Sequence, residues 1–296
     1  MPHFMLSWQD AAAIGVCLAL AGLMLRPMRV AAPLVEAAVL FGLYALWQFA
    51  GSFAVMSSAG GPARGRWIWH VERLLHLPSE TAVQHVFLPS PALIQTLNLY
   101  YDVLHFPVLI SCLIWVYWRH RPDYPRIRTV LVLFTAASLL VQLIPVAPPR
   151  LLLQTGMVDT AFHYGQSVYT FDNGALEADQ YSAMPSVHVG WAIVVAIAVI
   201  SVSRSRWRWL AVLYPAMTTL AVVVTANHFW LDGIVAGFLV VLAVLADLAW
   251  RRRLRPAISA LAGGNRPCNH DQHGNDGRES RDRIGTGAAT RRDRAA

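Results

Sequence analysis

Met184-Pro185-Ser186-Val187-His188 and, further along, Asn227-His228-Phe229-Trp230-Leu231-Asp232 are two polar clusters, and each opens a strongly apolar run. The runs Val187 to Val202 and Phe229 to Trp250 are long and apolar enough to predict spanning helices, with a third, Leu210 to Thr225, between them. A chain that crosses, returns and crosses again begins its first and third passes on the same face. Both clusters therefore reach one face, where His188, His228 and Asp232 can converge.

Composition supports a membrane setting. Apolar residues make up 56% of the chain and charged ones 14%, which favours a polytopic membrane protein over a soluble domain. Every basic residue is Arg, and the net charge of +7 would suit nucleic acid if it formed a patch. Instead the arginines sit between apolar runs or beyond Trp250, the distribution of positive cytoplasmic loops, so no nucleic-acid partner is expected. Cys17, Cys112 and Cys268 share no metal-like or redox spacing.

Working outward, further spans are expected at Ala11 to Leu25, Leu34 to Met56, Leu97 to Trp118 and Thr129 to Val146, seven in all. The first lacks the basic flank and cleavage site of a signal peptide. Between the second and third, Arg64 to Leu77 places Trp67, Ile68, Val71, Leu74 and Leu75 on one helical face. It reads either as an amphipathic helix in the interface or as a helix packed on the bundle. A long segment, Pro148 to Met184, carries Asp159, Asp172, Glu177 and Asp179; loops of such length cap or gate a site, or are disordered. The expected fold is thus all-α, a polytopic transmembrane bundle. Residues 1–33 form its first helix and basic turn, 34–255 its catalytic domain and 256–296 a disordered, Arg-rich cytoplasmic tail. Under seven-span alternation the arginine turns share the cytoplasmic side of the cell membrane, and His188, His228 and Arg150 lie outside.

His228 and Asp232 stand four residues apart at a helix start, hence on one face, so the carboxylate can accept one ring N–H and fix the tautomer. The other ring nitrogen is then a nucleophile. With His188 as proton donor and Arg150 as cation, this is the set that phosphoryl transfer through a phosphohistidine requires. Ser186 and the N–H groups opening the fifth span can hold phosphate oxygens, although Ser186 serves equally as a helix N-cap. Asp102 and His105 are candidate headgroup contacts, with bundle packing as the alternative, and Arg150 is weighed against a headgroup anchor.

The order Val146-Ala147-Pro148-Pro149-Arg150, Pro185-Ser186-Val187-His188, Asn227-His228-Phe229-Trp230-Leu231-Asp232 resembles the type-2 phosphatidic acid phosphatase superfamily, particularly its bacterial branch related to inositol phosphorylceramide synthases. The resemblance covers roughly Leu97 to Trp250. It implies a six-helix core, lipid-phosphate substrates with an alcohol or inositol acceptor, no metal and no cofactor. By the same resemblance His228 is the nucleophile, Asp232 its orienting acid and His188 the donor to the leaving group. Two departures stand out. Arg121-Pro122 has Ile114 where the family's first motif has Lys, and Ala221 and Val222 replace the Ser-Arg of its third, which leaves Arg150 as the phosphate cation. Rival readings are a metal-dependent hydrolase using His188, His228 and Asp232, and a non-catalytic transporter or lipid scaffold. The absence of internal repeats disfavours the last.

Overall fold

The structure is a computed structural model that describes residues 7–28, 30–54, 60–164 and 181–254. The tail 256–296, together with Asp172, Glu177, Asp179 and Cys268, lies outside the described residues. In chain order the helices are α1 (Trp8–Met24), α2 (Ala31–Ala54), α3 (Gly61–Leu74), α4 (Glu80–Phe87), α5 (Pro91–Leu99), α6 (His105–Arg119) and α7 (Tyr124–Gln142). Then come α8 (Thr160–His163), α9 (Val187–Val202), α10 (Leu213–Val224) and α11 (Trp230–Ala249). A π-helical turn, Tyr100–Leu104, joins α5 to α6, and a 3-10 segment, Arg206–Val212, leads into α10. The fold is an all-α membrane bundle. Four helical stretches are long and apolar enough to span a membrane: Pro91–Arg119, Tyr124–Gln142, Arg206–Val224 and Trp230–Arg253. Trp8–Met24, Ala31–Leu46 and Val187–Val202 are shorter apolar helices.

Helix α9 is the hub. It is apolar on every side, the pattern of a helix surrounded by others. Val194, Ala198 and Trp191 pack with Phe134 of α7, Val116 of α6 and Val240 of α11. Gly190 is required at the α7 crossing, because a Cβ there would lie 1.8 Å from Phe134 Cζ. Trp191 Nε1 donates to Thr135 Oγ1 at 3.1 Å, satisfying the polar handle of a buried indole. The α1–α2 hairpin meets the bundle through Glu36, which accepts from Arg128 and from the Tyr124 hydroxyl of α7.

The two ends of the bundle differ chemically. At one end the two carboxylate oxygens of buried Asp247 share the Arg251 Nε–H, each 2.8 Å from Nε, with Arg126 3.9 Å away. Arg121 stacks over Tyr117, and Arg206 and Arg208 follow the end of α9. The starts of α9 and α11 lie at the opposite end.

That second end is roofed by α3 and α4, and α3 packs by a face other than the apolar one of Arg64 to Leu77. Gly61, Gly65, Ile68 and Glu72 are the buried residues of α3, whereas Trp67, Leu74 and Leu75 are exposed. Small residues win because the backbone approaches closely: a Cβ on Gly65 would lie 2.6 Å from the Ala147 carbonyl oxygen. Arg64 Nε donates to the Pro145 carbonyl at 2.5 Å, and Ala147 N–H to the Gly61 carbonyl at 3.1 Å. The described part of the long segment is likewise built in, with 3-10 turns at Pro149–Leu151 and Leu153–Thr155 followed by α8. Gln84, fully buried in α4, donates to the carbonyls of Val158 and Val224 at 2.9 Å and accepts from Val158 N–H at 2.8 Å. One amide thus ties the roof, the long segment and α10 together.

Candidate active site

Helix α10 ends in a tight reversal. Ala226 takes a left-handed backbone (φ 57°), a conformation that costs a non-glycine residue on the order of 1 kcal/mol. The amides of Asn227 and His228 both return to the Val222 carbonyl, at 3.0 and 3.1 Å. Asn227 Nδ2 donates to Thr225 Oγ1 at 2.8 Å. The chain then enters α11, where Phe229 N–H donates to Asp232 Oδ2 at 2.9 Å, so the carboxylate caps its own helix. The second cluster is stitched to the first through the Ser186 amide, which donates to the Asp232 carbonyl at 3.1 Å. Ser186 is fully buried, and its Oγ accepts from Val189 N–H at 3.4 Å as the N-cap of α9.

His228 and His188 come together as expected, with ring centroids 6.1 Å apart. His228 is buried and His188 partly exposed. Nδ1 of His228 lies 2.6 Å from the Ala183 carbonyl and 3.3 Å from Asp232 Oδ2. The expected carboxylate contact is present, but the carbonyl is the nearer acceptor. Either one requires the proton on Nδ1, which leaves Nε2 with its lone pair. Sequence spacing could not show the carbonyl, since Ala183 meets His228 only through tertiary packing.

The π turn before α6 adds two rings. Tyr101 lies 4.4 Å from the His188 ring and 6.4 Å from the His228 ring, and His105 lies 4.8 Å from His188. His105 Nδ1 is 3.1 Å from the Tyr101 carbonyl, and its buried Nε2 has no hydrogen-bond partner among the described residues. His105 therefore borders His188 within the ring cluster. Tyr101 was not legible in the sequence, although irregular π turns recur at functional sites. Asp102, on the same turn, is partly buried and within electrostatic reach of Arg150.

The Arg150 side chain is 5% exposed, too buried for a headgroup anchor that reaches from the surface. Its Nη1 donates to Asn227 Oδ1, its Nε lies 3.6 Å from Asp159 Oδ2, and its amide donates to the Ala226 carbonyl at 3.1 Å. A guanidinium is thus held against the residue preceding His228. Arg121 is excluded from this site: it lies past the C-terminus of α6 at the arginine end, and the helix from His105 to Arg119 alone spans ~21 Å. Ala221 and Val222 are buried in the α10 packing. Among the described residues no group of three His, Cys, Asp or Glu side chains is arranged to hold a metal ion, so the two-imidazole, one-carboxylate metal reading finds no ligand set.

A family-wide sequence model, that of the PAP2 superfamily, matches residues 66–246, well over half the chain. The chain belongs to the PAP2 superfamily. The matched stretch runs from α3 through α11 and so includes every residue of the two polar clusters, Arg150 and the π turn. No match was found among curated proteins or solved structures. PAP2 membership carries an expectation of phosphatase or phosphotransferase activity.

Proposed function

We propose that this protein is an integral membrane lipid-phosphate phosphatase or phosphotransferase, similar to inositol phosphorylceramide synthases, that works through a phosphohistidine. The observation that carries the reading is His228 with Nδ1 bonded to Ala183 and Asp232, Nε2 available and His188 beside it. Nε2 of His228 attacks phosphorus while the bond to the leaving oxygen breaks, and His188 gives that oxygen its proton. A water or an alcohol such as inositol then gives its proton to His188 and attacks phosphorus as the phosphorus–nitrogen bond breaks, returning His228 to its starting state. Asp232 and the Ala183 carbonyl stabilise the positive imidazole of the intermediate, and Arg150 with the amides opening α9 holds phosphate oxygens.

A lipid substrate is supported by a groove of about 380 Å³ between α9, α10 and α11, lined among others by Val189, Ile193, Pro215, Trp230, Gly233 and Ile234. Val189 directly follows His188 and Gly233 directly follows Asp232. The groove thus runs along the first turns of α9 and α11, the turns that carry His188 and Asp232. The distribution of arginines supports a site on the extracytoplasmic face of the cell membrane.

Rapid-quench trapping with a radiolabelled lipid phosphate tests the reading. Wild type should form an acid-labile, base-stable phosphoenzyme, and His228→Ala should form none. His188→Ala should slow its formation ~10² to 10⁴-fold with lipid phosphates and far less with an activated aryl phosphate, which needs no proton on its leaving oxygen. A phosphoenzyme persisting in folded His228→Ala would exclude His228 as nucleophile.

A further inference from the structure

Glu72 and Glu80 are the carboxylates of the roof, and both are almost wholly inaccessible, at 0% and 1% exposure. Glu72 Oε1 accepts from Leu231 N–H at 2.7 Å. That amide belongs to the first turn of α11, where no intrahelical acceptor is available. Glu80 Oε2 accepts from Arg73 Nη2 at 2.5 Å. The two remaining oxygens, Glu72 Oε2 and Glu80 Oε1, are buried with no other partner among the described residues. Ionised carboxylate oxygens only accept, so two such atoms satisfy each other only by sharing a proton. Around them, Arg73 also donates to the Pro78 carbonyl at 3.3 Å, and Trp230 Nε1 donates to the same carbonyl at 2.9 Å. The two hydrogen bonds that join this strap to α11 fall on Trp230 and Leu231, between His228 and Asp232.

We propose that Glu72, as a neutral acid hydrogen-bonded to Glu80, is a positioning residue that sets the start of α11 and thereby aligns Asp232 with His228. The proposal rests on the phosphohistidine reading for its effect on turnover, but its effect on stability stands alone. Burial, and then the hydrogen bond to Glu80, push the Glu72 carboxyl up from an ordinary 4.5 to about 9, with the Leu231 N–H opposing. The charged groups facing it are Glu80 from α4, Asp232 from α11 and, through Glu80, Arg73 of its own helix. Loss of the proton would set two adjacent carboxylates beside Asp232 and push the roof from the α11 start.

The sign follows from proton counting. Between pH 4.5 and about 9 the folded chain holds a proton on Glu72 that the unfolded chain releases, so stability falls as pH rises across that window. Glu72→Gln keeps an acceptor for Leu231 N–H and supplies a permanent donor to Glu80.

The experiment uses the full chain in detergent, with thermal midpoints and kcat and KM on a short-chain lipid phosphate measured from pH 5 to 10. Wild type should lose thermal midpoint with rising pH and lose kcat through an alkaline limb near pH 9. Glu72→Gln should flatten the midpoint profile and displace that limb, and Glu72→Ala should lower kcat roughly 10²-fold with KM little moved, as small misplacements of reacting groups do. A Glu72→Gln profile superimposable on wild type in both readouts, or a folded Glu72→Ala with wild-type kcat, overturns the proposal. Absence of turnover in wild type itself would instead sink the phosphohistidine reading, and the midpoint profiles would still decide the role of Glu72.

Discussion

Replacing Asp232 by Asn separates the two acceptors that His228 Nδ1 faces. In wild type Nδ1 meets the Ala183 carbonyl at 2.6 Å and the carboxylate at 3.3 Å, and the carboxylate also takes Phe229 N–H at 2.9 Å. An asparagine oxygen can keep the bond to Phe229, so the α11 cap survives. What disappears is the charge that stabilises the imidazole as it becomes positive. A hydrogen bond to a charged group contributes ~1.5 to 3 kcal/mol. At about 1.4 kcal/mol per tenfold, phosphoenzyme formation should slow roughly 10- to 150-fold. Loss of the correct tautomer would cost far more, about 10⁴-fold in the serine-protease precedent. Here the Ala183 carbonyl holds Nδ1–H in place, so that larger loss is not expected. The assay is single-turnover rapid quench at saturating lipid phosphate, with thermal midpoints confirming that the variant is folded. A loss near 10⁴-fold would show that Asp232 alone fixes the tautomer, and an unchanged rate would show that the carboxylate serves only as a helix cap. Either result refutes the division of labour between Ala183 and Asp232.

Arg150→Lys should remain folded yet lose ~2.7 to 4 kcal/mol of transition-state stabilisation, because a point-charge ammonium cannot hold Asn227 and two phosphate oxygens as a planar guanidinium can. Near-native kcat/KM in that variant would confine Arg150 to bracing Asn227 and Asp159. For topology, single cysteines introduced at Gly156 and at Ser205 should react oppositely with an impermeant maleimide on intact cells, Gly156 labelling and Ser205 not, measured after Cys17, Cys112 and Cys268 are replaced. Reversed labelling would place the histidines inside and remove external substrates.

Sequence alone determined the elements whose reasons are local. Apolar runs long enough for hydrocarbon give the helices Val187–Val202 and Trp230–Ala249 within a residue of expectation, because a helix satisfies all its backbone groups within one segment in lipid. The spacing of four between His228 and Asp232 gives their contact for the same kind of reason, a helical turn. The apolar face of α3 was legible in the sequence, but the side by which the helix packs was not. In a membrane protein apolar residues such as Trp67 and Leu74 can face lipid, while glycines mark where backbones meet. The Ala183 carbonyl, Tyr101 at the π turn, the Arg150–Asn227 pair and the Glu72–Leu231 strap were decided only by tertiary structure. Each joins groups from 45 to 159 positions apart or depends on an irregular turn. No local periodicity encodes such contacts, since they arise from how whole helices pack.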